Sequence, residues 1–131
     1  MAEIEHGDNR QRGNPDKFTG EVFMTSLSAP PDPNGVAVTA VEFTAGARSK
    51  WHSHTAGQVL HILSGEGVVV NRDGQRIAMR QGDTVTAAAG EMHWHGATPA
   101  SSMVQMSITT HGGPHWTDEE VGEEEYLAAV E

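Results

Sequence analysis

From Phe18 onward, apolar residues come in short runs that Gly, Pro, Asn and Asp interrupt at close intervals. Within the runs the alternation follows the two-residue period of a strand, and the 3.6-residue period of a helix is nearly absent. Strands are predicted at Glu21–Leu27, Ala37–Phe43, Lys50–His54, Gln58–Ser64, Glu66–Asn71, Gln75–Met79, Thr84–Ala87, Met92–His95 and Met103–Thr109. The punctuation between them is specific: Asp73-Gly74 is a hairpin signal, Gln81-Gly82-Asp83 a tight turn, and Pro30 to Gly35 a rigid loop. Only the carboxyl end reads as helical, over Asp118–Leu127, with Thr117 as its cap and the acids Glu119 and Glu120 near its amino end. Many short strands with no helices between them predict an all-β sandwich or barrel.

Parity along these strands places the chemistry. His52 and His54 lie two apart and share a face. Gln58 has the same parity and follows the Thr55-Ala56-Gly57 turn, so all three are expected to converge from one hairpin. Downstream, His93 and His95 again share a face and offer a third imidazole. Three imidazoles and a neutral amide suit manganese, iron, nickel or zinc better than calcium or magnesium, which take mostly oxygen. Leu60 and Ile62 share the Gln58 face, which predicts a partly dry pocket. His61 falls on the opposite face with Val59 and Leu63, where a second subunit can pair, so a homodimer or higher homo-oligomer is expected. Trp51 and Trp94 have the parity opposite to their neighbouring histidines and are expected to pack outside the pocket. Neither His6 nor His115 is assigned a role.

The bulk composition narrows the rest. A chain of 131 residues is one domain, divided here into a flexible arm (1–16), a barrel (17–116) and an acidic tail or short helix (117–131). The formal charge of −10 argues against nucleic acid or an anionic membrane as partner, which leaves a small-molecule substrate. No apolar run is long enough to span a bilayer and Met1 to Asn14 is polar, so the cytoplasm is the expected location. The absence of cysteine excludes disulfides, iron–sulfur clusters and thiol catalysis, so any metal must be held by His, Gln, Asp or Glu.

The two histidine segments resemble the cupin motifs. Gly46, His52, His54 and Gly65 fit the first, with Gln58 where an acid is usual. Gly82, Gly90 and His93 fit the second, with Ala88 in place of its proline and Ala97 in place of its asparagine. The resemblance implies a cupin barrel, the double-stranded β-helix or jelly roll, with a short carboxyl-terminal helix. The wording around the ligands, FTGEVF, GARSKWHSH and GEMHWHGATP, is similar to the small bacterial cupins that include manganese-dependent hydroxynitrile lyases, and to cupins that accompany carboxymuconolactone decarboxylase domains. Carried over, that likeness implies that His52, His54, Gln58 and His93 hold a divalent transition metal, manganese first and iron, nickel or zinc after it. His95 would be the catalytic acid or base beside it. The lyase members have a further histidine where this chain has Gln105. Neutral ligands leave the charge of the ion intact and favour Lewis-acid lyase chemistry on a hydroxy or carbonyl compound. A dioxygenase, an isomerase or cyclase acting on an enolic substrate, and a non-catalytic metal-dependent binding domain are the alternatives.

Overall fold

A computed structural model describes residues 2–131. Among the described residues, the chain forms twelve strands and one helix. These are β1 (Gln11–Arg12), β2 (Phe18–Thr19), β3 (Val22–Ser28), β4 (Ala37–Phe43), β5 (Arg48–Ser49), β6 (His52–Ser53), β7 (Gln58–Asn71), β8 (Arg76–Arg80), β9 (Thr84–Ala87), β10 (His93–Ala97), β11 (Met103–Thr109), β12 (His115–Trp116) and α1 (Glu123–Val130). The pairings described are antiparallel and build two facing sheets. Sheet I runs β1-β3-β4-β11-β7, with β9 on the far side of β7. Sheet II places β8 and β10 on either side of the later part of β7. The other edge of β10 pairs with β5 and then β2 at one end, and with β6 and then β12 at the other.

Where two strands were expected on either side of Gly65, there is one strand of 14 residues. Gly65 lies in the left-handed region at φ 77°, and a Cβ there would sit 1.8 Å from the Ser102 carbonyl oxygen, so only glycine fits. The pairing of β7 with β11 slips by one residue close by: Val104 faces Ser64 while Gln105 faces Ile62. The extra residue is a bulge, and it changes the parity that points inward. Leu60 and Ile62 enter the core before it, Val69 after it. One strand thereby serves both sheets.

Two layers of apolar packing result. Val41, Phe43, Leu60, Ile62, Val69 and Met103 lie among the residues that fill the space between the sheets. On the outside of sheet II, Trp51, Val68 and Trp94 meet Val121 and Tyr126 from the carboxyl-terminal segment, so both tryptophans do pack outside the barrel. Arg48 stacks on the Tyr126 ring at 4.5 Å and donates to the Val121 carbonyl, and the Tyr126 hydroxyl donates to the carbonyl of Ala97 on β10.

Other boundaries differ from the pattern-based expectation. Of the expected strand Lys50–His54 only β6 forms, with β5 ending just before it, because Trp51 turns out to join the outer layer. The helix begins at Glu123 behind Gly122, while Thr117 is used elsewhere, donating to the Trp51 carbonyl and accepting from the Glu119 amide. In the segment expected as a flexible arm, Gln11 and Arg12 pair with Met24 and Phe23, and the Asn9 side chain exchanges two hydrogen bonds with the Ser26 backbone. Met1, also assigned to that arm, lies outside the described residues.

Candidate metal centre

Five of the predicted site residues come together at the middle of the barrel, but not by way of a hairpin. β6 pairs with β10 and β12, whereas the start of β7 pairs with β9 and β11. The short link His54–Gly57 therefore crosses from sheet II to sheet I. Gly57 makes the crossing possible: it has φ 85°, its amide donates to the His54 carbonyl, and a Cβ there would lie 2.5 Å from the Ala87 carbonyl oxygen. His52 stands directly opposite His93 in the register of β6 and β10, and His95 follows two residues later on the same face. Sheet II thus supplies the imidazoles. Sheet I supplies two amides, Gln58 from β7 and Gln105 from β11.

Each of His52, His93 and His95 brings one ring nitrogen within 4.8 Å of the other two, a group that can hold a divalent ion. His54 stands beside them, its ring centroid 5.3 Å from that of His52, and Gln58 is fixed from the other side. The backbone orients the rings. Nδ1 of His52 donates to the Lys50 carbonyl and Nδ1 of His93 to the Glu91 carbonyl, so each Nε2 presents a lone pair inward. The Gln58 nitrogen goes to Ser107 Oγ, which turns its oxygen toward His93 Nε2 at 3.0 Å. Two acceptors face each other there, and a cation relieves that opposition. Both ring nitrogens of His54 are buried without any hydrogen-bond partner among the described residues. A buried orphan imidazole costs about 1–3 kcal/mol unless something is found for it, and an ion supplies that partner. The donor set, imidazole nitrogen with one amide oxygen and no thiolate, fits a borderline transition metal.

Electrostatics point the same way. Burial, helped by the neighbouring His93, pushes His52 down to about 3, and burial pushes His54 down to about 4. The same desolvation lowers His93 and holds His95 well below its ordinary value. The four imidazoles are therefore neutral at pH 7, the state a metal ligand must have, and no proton has to be expelled for an ion to bind.

A cavity of about 240 Å³ opens over the cluster, touching His52, His54, Gln58, His95 and Gln105. Its remaining walls include Phe18, Met24, Val41, Pro114 and Trp116, and among the described residues no Asp, Glu, Lys or Arg lines it. His93 instead borders a smaller cavity of about 150 Å³ on its far side. Such a pocket suits a small, uncharged, partly apolar compound that presents an oxygen to the histidines.

Two contributors, Ser107 and His115, went unread in the sequence, which left a third, Trp116, between flanking the pocket and sealing the barrel. Ser107 fixes the Gln58 amide, and its place two residues beyond Gln105 on one strand face was the available signal. Trp116 lies against His52, ring centroids 4.5 Å apart, from a strand of two residues too short to show a period. His115, given no role, places Nε2 2.7 Å from Thr55 Oγ1 in the crossing link.

Comparison with known proteins agrees with this geometry. Over 97 residues, 74% of each chain, the sequence is 40% identical to an (R)-mandelonitrile lyase of Granulicella tundricola. The fold matches a cupin-like protein from Thermotoga maritima with a TM-score of 0.87 and 34% identity, covering 100% of this chain and 98% of that one. A polyketide cyclase from Streptomyces resistomycificus shares the fold alone, with a TM-score of 0.72 at 17% identity over 96% of this chain and 91% of that one. The cupin domain family matches residues 39–109, a span that contains His52, His54, Gln58, His93, His95 and Gln105. By its two-sheet barrel, its central histidines and this match through all of them, the chain belongs to the cupin family.

Proposed function

We propose that this cupin is a metal-dependent lyase that cleaves a small, uncharged hydroxynitrile into a carbonyl compound and hydrogen cyanide. The observation that carries the reading is a wholly neutral set of inward donors beneath a pocket without formal charge. The name of the Granulicella relative supports it. His52, His54, Gln58 and His93 are the residues we assign to the ion, manganese first and iron, nickel or zinc as alternatives. When bound, the ion supplies Lewis acidity at the hydroxyl oxygen of the substrate.

The chain's own residues do the rest. The apolar wall around Phe18, Val41 and Trp116 takes the organic part of the substrate and excludes water. His95 accepts the hydroxyl proton at Nε2 as the carbon–carbon bond breaks, its electron pair leaving with the nitrile carbon. His95 then returns that proton, so cyanide departs as the neutral acid and the ring is restored. The test is mandelonitrile cleavage by the manganese-loaded protein, alongside elemental analysis of protein purified without added metal. Turnover no faster than with the metal salt alone rejects the reading.

Two further expectations belong to it. The outer face of sheet I pairs with a second copy of the chain, which light scattering checks. The acidic, cysteine-free composition suits a cytoplasmic protein, which cell fractionation checks.

A further inference from the structure

To accept a proton from a hydroxyl group, His95 needs a lone pair on Nε2. Its surroundings hold the opposite form. Gln105 is fully buried, and its side-chain nitrogen lies 3.0 Å from His95 Nδ1, to which it donates. Nδ1 therefore carries the lone pair and Nε2 the hydrogen. The acceptor for that hydrogen is Nε2 of His52, 3.3 Å away, whose lone pair is free because its Nδ1 is committed to Lys50. One group is left over: the side-chain oxygen of Gln105 is buried with no partner among the described residues. An amide set this way satisfies one of its ends and wastes the other.

Turned over about its terminal bond, the same amide would place its oxygen against His95 Nδ1. That arrangement requires the proton on Nδ1 and leaves Nε2 as a lone pair. Both forms of the ring are neutral, and they differ by one proton lost from Nε2 and regained at Nδ1 through solvent. The balance between them hangs on His52. While its Nε2 lone pair is available, the Nε2–H of His95 has an acceptor. Once that lone pair is committed to a divalent ion, the hydrogen has none, whereas the Gln105 oxygen offers one on the other side of the ring.

We propose, resting on the ion site assigned above, that Gln105 is a positioning residue that sets the tautomer of His95. With His52 free, the amide presents nitrogen and His95 keeps its hydrogen on Nε2. With His52 committed to an ion, the amide presents oxygen and His95 turns a lone pair toward the substrate pocket. Gln105 thus couples occupancy of the ion site to readiness of the proton acceptor, a task that a residue without both a donor and an acceptor cannot perform.

The experiment is two-bond proton–nitrogen correlation spectroscopy of the histidine rings in the ¹⁵N-labelled full-length chain, metal-free and loaded with zinc. The wild type is expected to show His95 as the Nε2–H form without zinc and the Nδ1–H form with it. Gln105→Glu, whose ionised side chain can only accept, is expected to show Nδ1–H in both states. Gln105→Met, which can neither donate nor accept, is expected to lose the single preference shown by the zinc-loaded wild type. An Nε2–H form that persists when the His52 signal reports bound zinc overturns the proposal, as does a chain that takes up no zinc. So does an Nδ1–H form in the metal-free wild type. Should Gln105→Glu fail to fold, the wild-type pair and Gln105→Met still decide. The expected shift without cyanohydrin cleavage sinks the lyase reading alone, while turnover with an unmoved His95 sinks this one alone.

Discussion

The two sheets differ most on their outer faces. Sheet II is covered by the chain's own carboxyl-terminal segment, with Trp94 fully buried and Trp51 nearly so. Among the described residues, sheet I carries no comparable apolar layer over β4, β11 and β7. Across its outer face Met106 stands beside Ala40 and His61, and Ile108 beside Val38 and Val59; all are partly exposed, and Leu63 is 43% exposed. The difference lines up with what each sheet carries inward. The covered sheet bears His52, His93 and His95, while the bare one bears Gln58 and Gln105. Imidazoles whose ring nitrogens must converge on one point are mounted where two apolar layers clamp the strand between them. Amides, which can rotate to suit their partners, are mounted on the sheet held from one side only.

The comparison can be broken most directly at Trp94. Trp94→Ala is expected to destabilise the chain by about 3–5 kcal/mol in urea unfolding, because it empties the centre of the outer layer. An equally large loss from Leu63→Ala on the bare face would show that the two faces are alike. Next in size is the ion. His52→Ala or His93→Ala should weaken manganese or zinc uptake by more than about 100-fold in a competition titration, beyond what losing an outer partner of a ligand costs.

A smaller effect is the pH dependence of the metal-free chain. Unfolded histidines titrate near 6.5, whereas folded His52 and His54 do so at about 3 and about 4. Between those values the unfolded chain holds more protons, so stability falls as the pH drops below 6.5 and levels off only near 3. The slope is at most about 1.4 kcal/mol per pH unit for each histidine. Thermal unfolding from pH 7 to 4 checks it, and His54→Gln should flatten the curve. Smallest in folding energy is the bare face: Leu63→Asp or Met106→Glu is expected to change monomer stability by less than about 0.5 kcal/mol while dispersing the proposed dimer in light scattering. A change in sedimentation with neither variant would leave sheet I without a partner.

Much of this was readable from parity. His52, His54, Gln58, His93 and His95 could be placed on inward faces because a strand's two-residue period survives without tertiary information, and the outward packing of Trp51 and Trp94 followed from the same count. What failed was anything that depends on a neighbour's backbone. Gly65 reads as a break between two strands, and only the nearby Ser102 carbonyl and the slipped partner strand show that it lies beside a bulge within one long strand. The link His54–Gly57 reads as a hairpin turn, and only the pairing of β6 with β10 shows that it crosses between sheets. Thr117 and Gly122 were exchanged as helix starts because Thr117 answers to Trp51, 66 residues away. Which of His54 and His95 stands closer to the shared centre is likewise a matter of cross-strand register, and the alternation of residues along one strand carries none of it.

β7 pairs with β8, β9, β10 and β11, half of it in each sheet. Neither sheet can therefore detach and leave the other whole, since both lose a central member when this one strand lets go. Unfolding should be all-or-none, with the amide hydrogens of Leu60, Ile62 and Val69 exchanging only when the entire barrel opens. For an ion at the centre the same connectivity acts as a lock: opening a route through either wall means dismantling both, so release through the walls would be as rare as global unfolding.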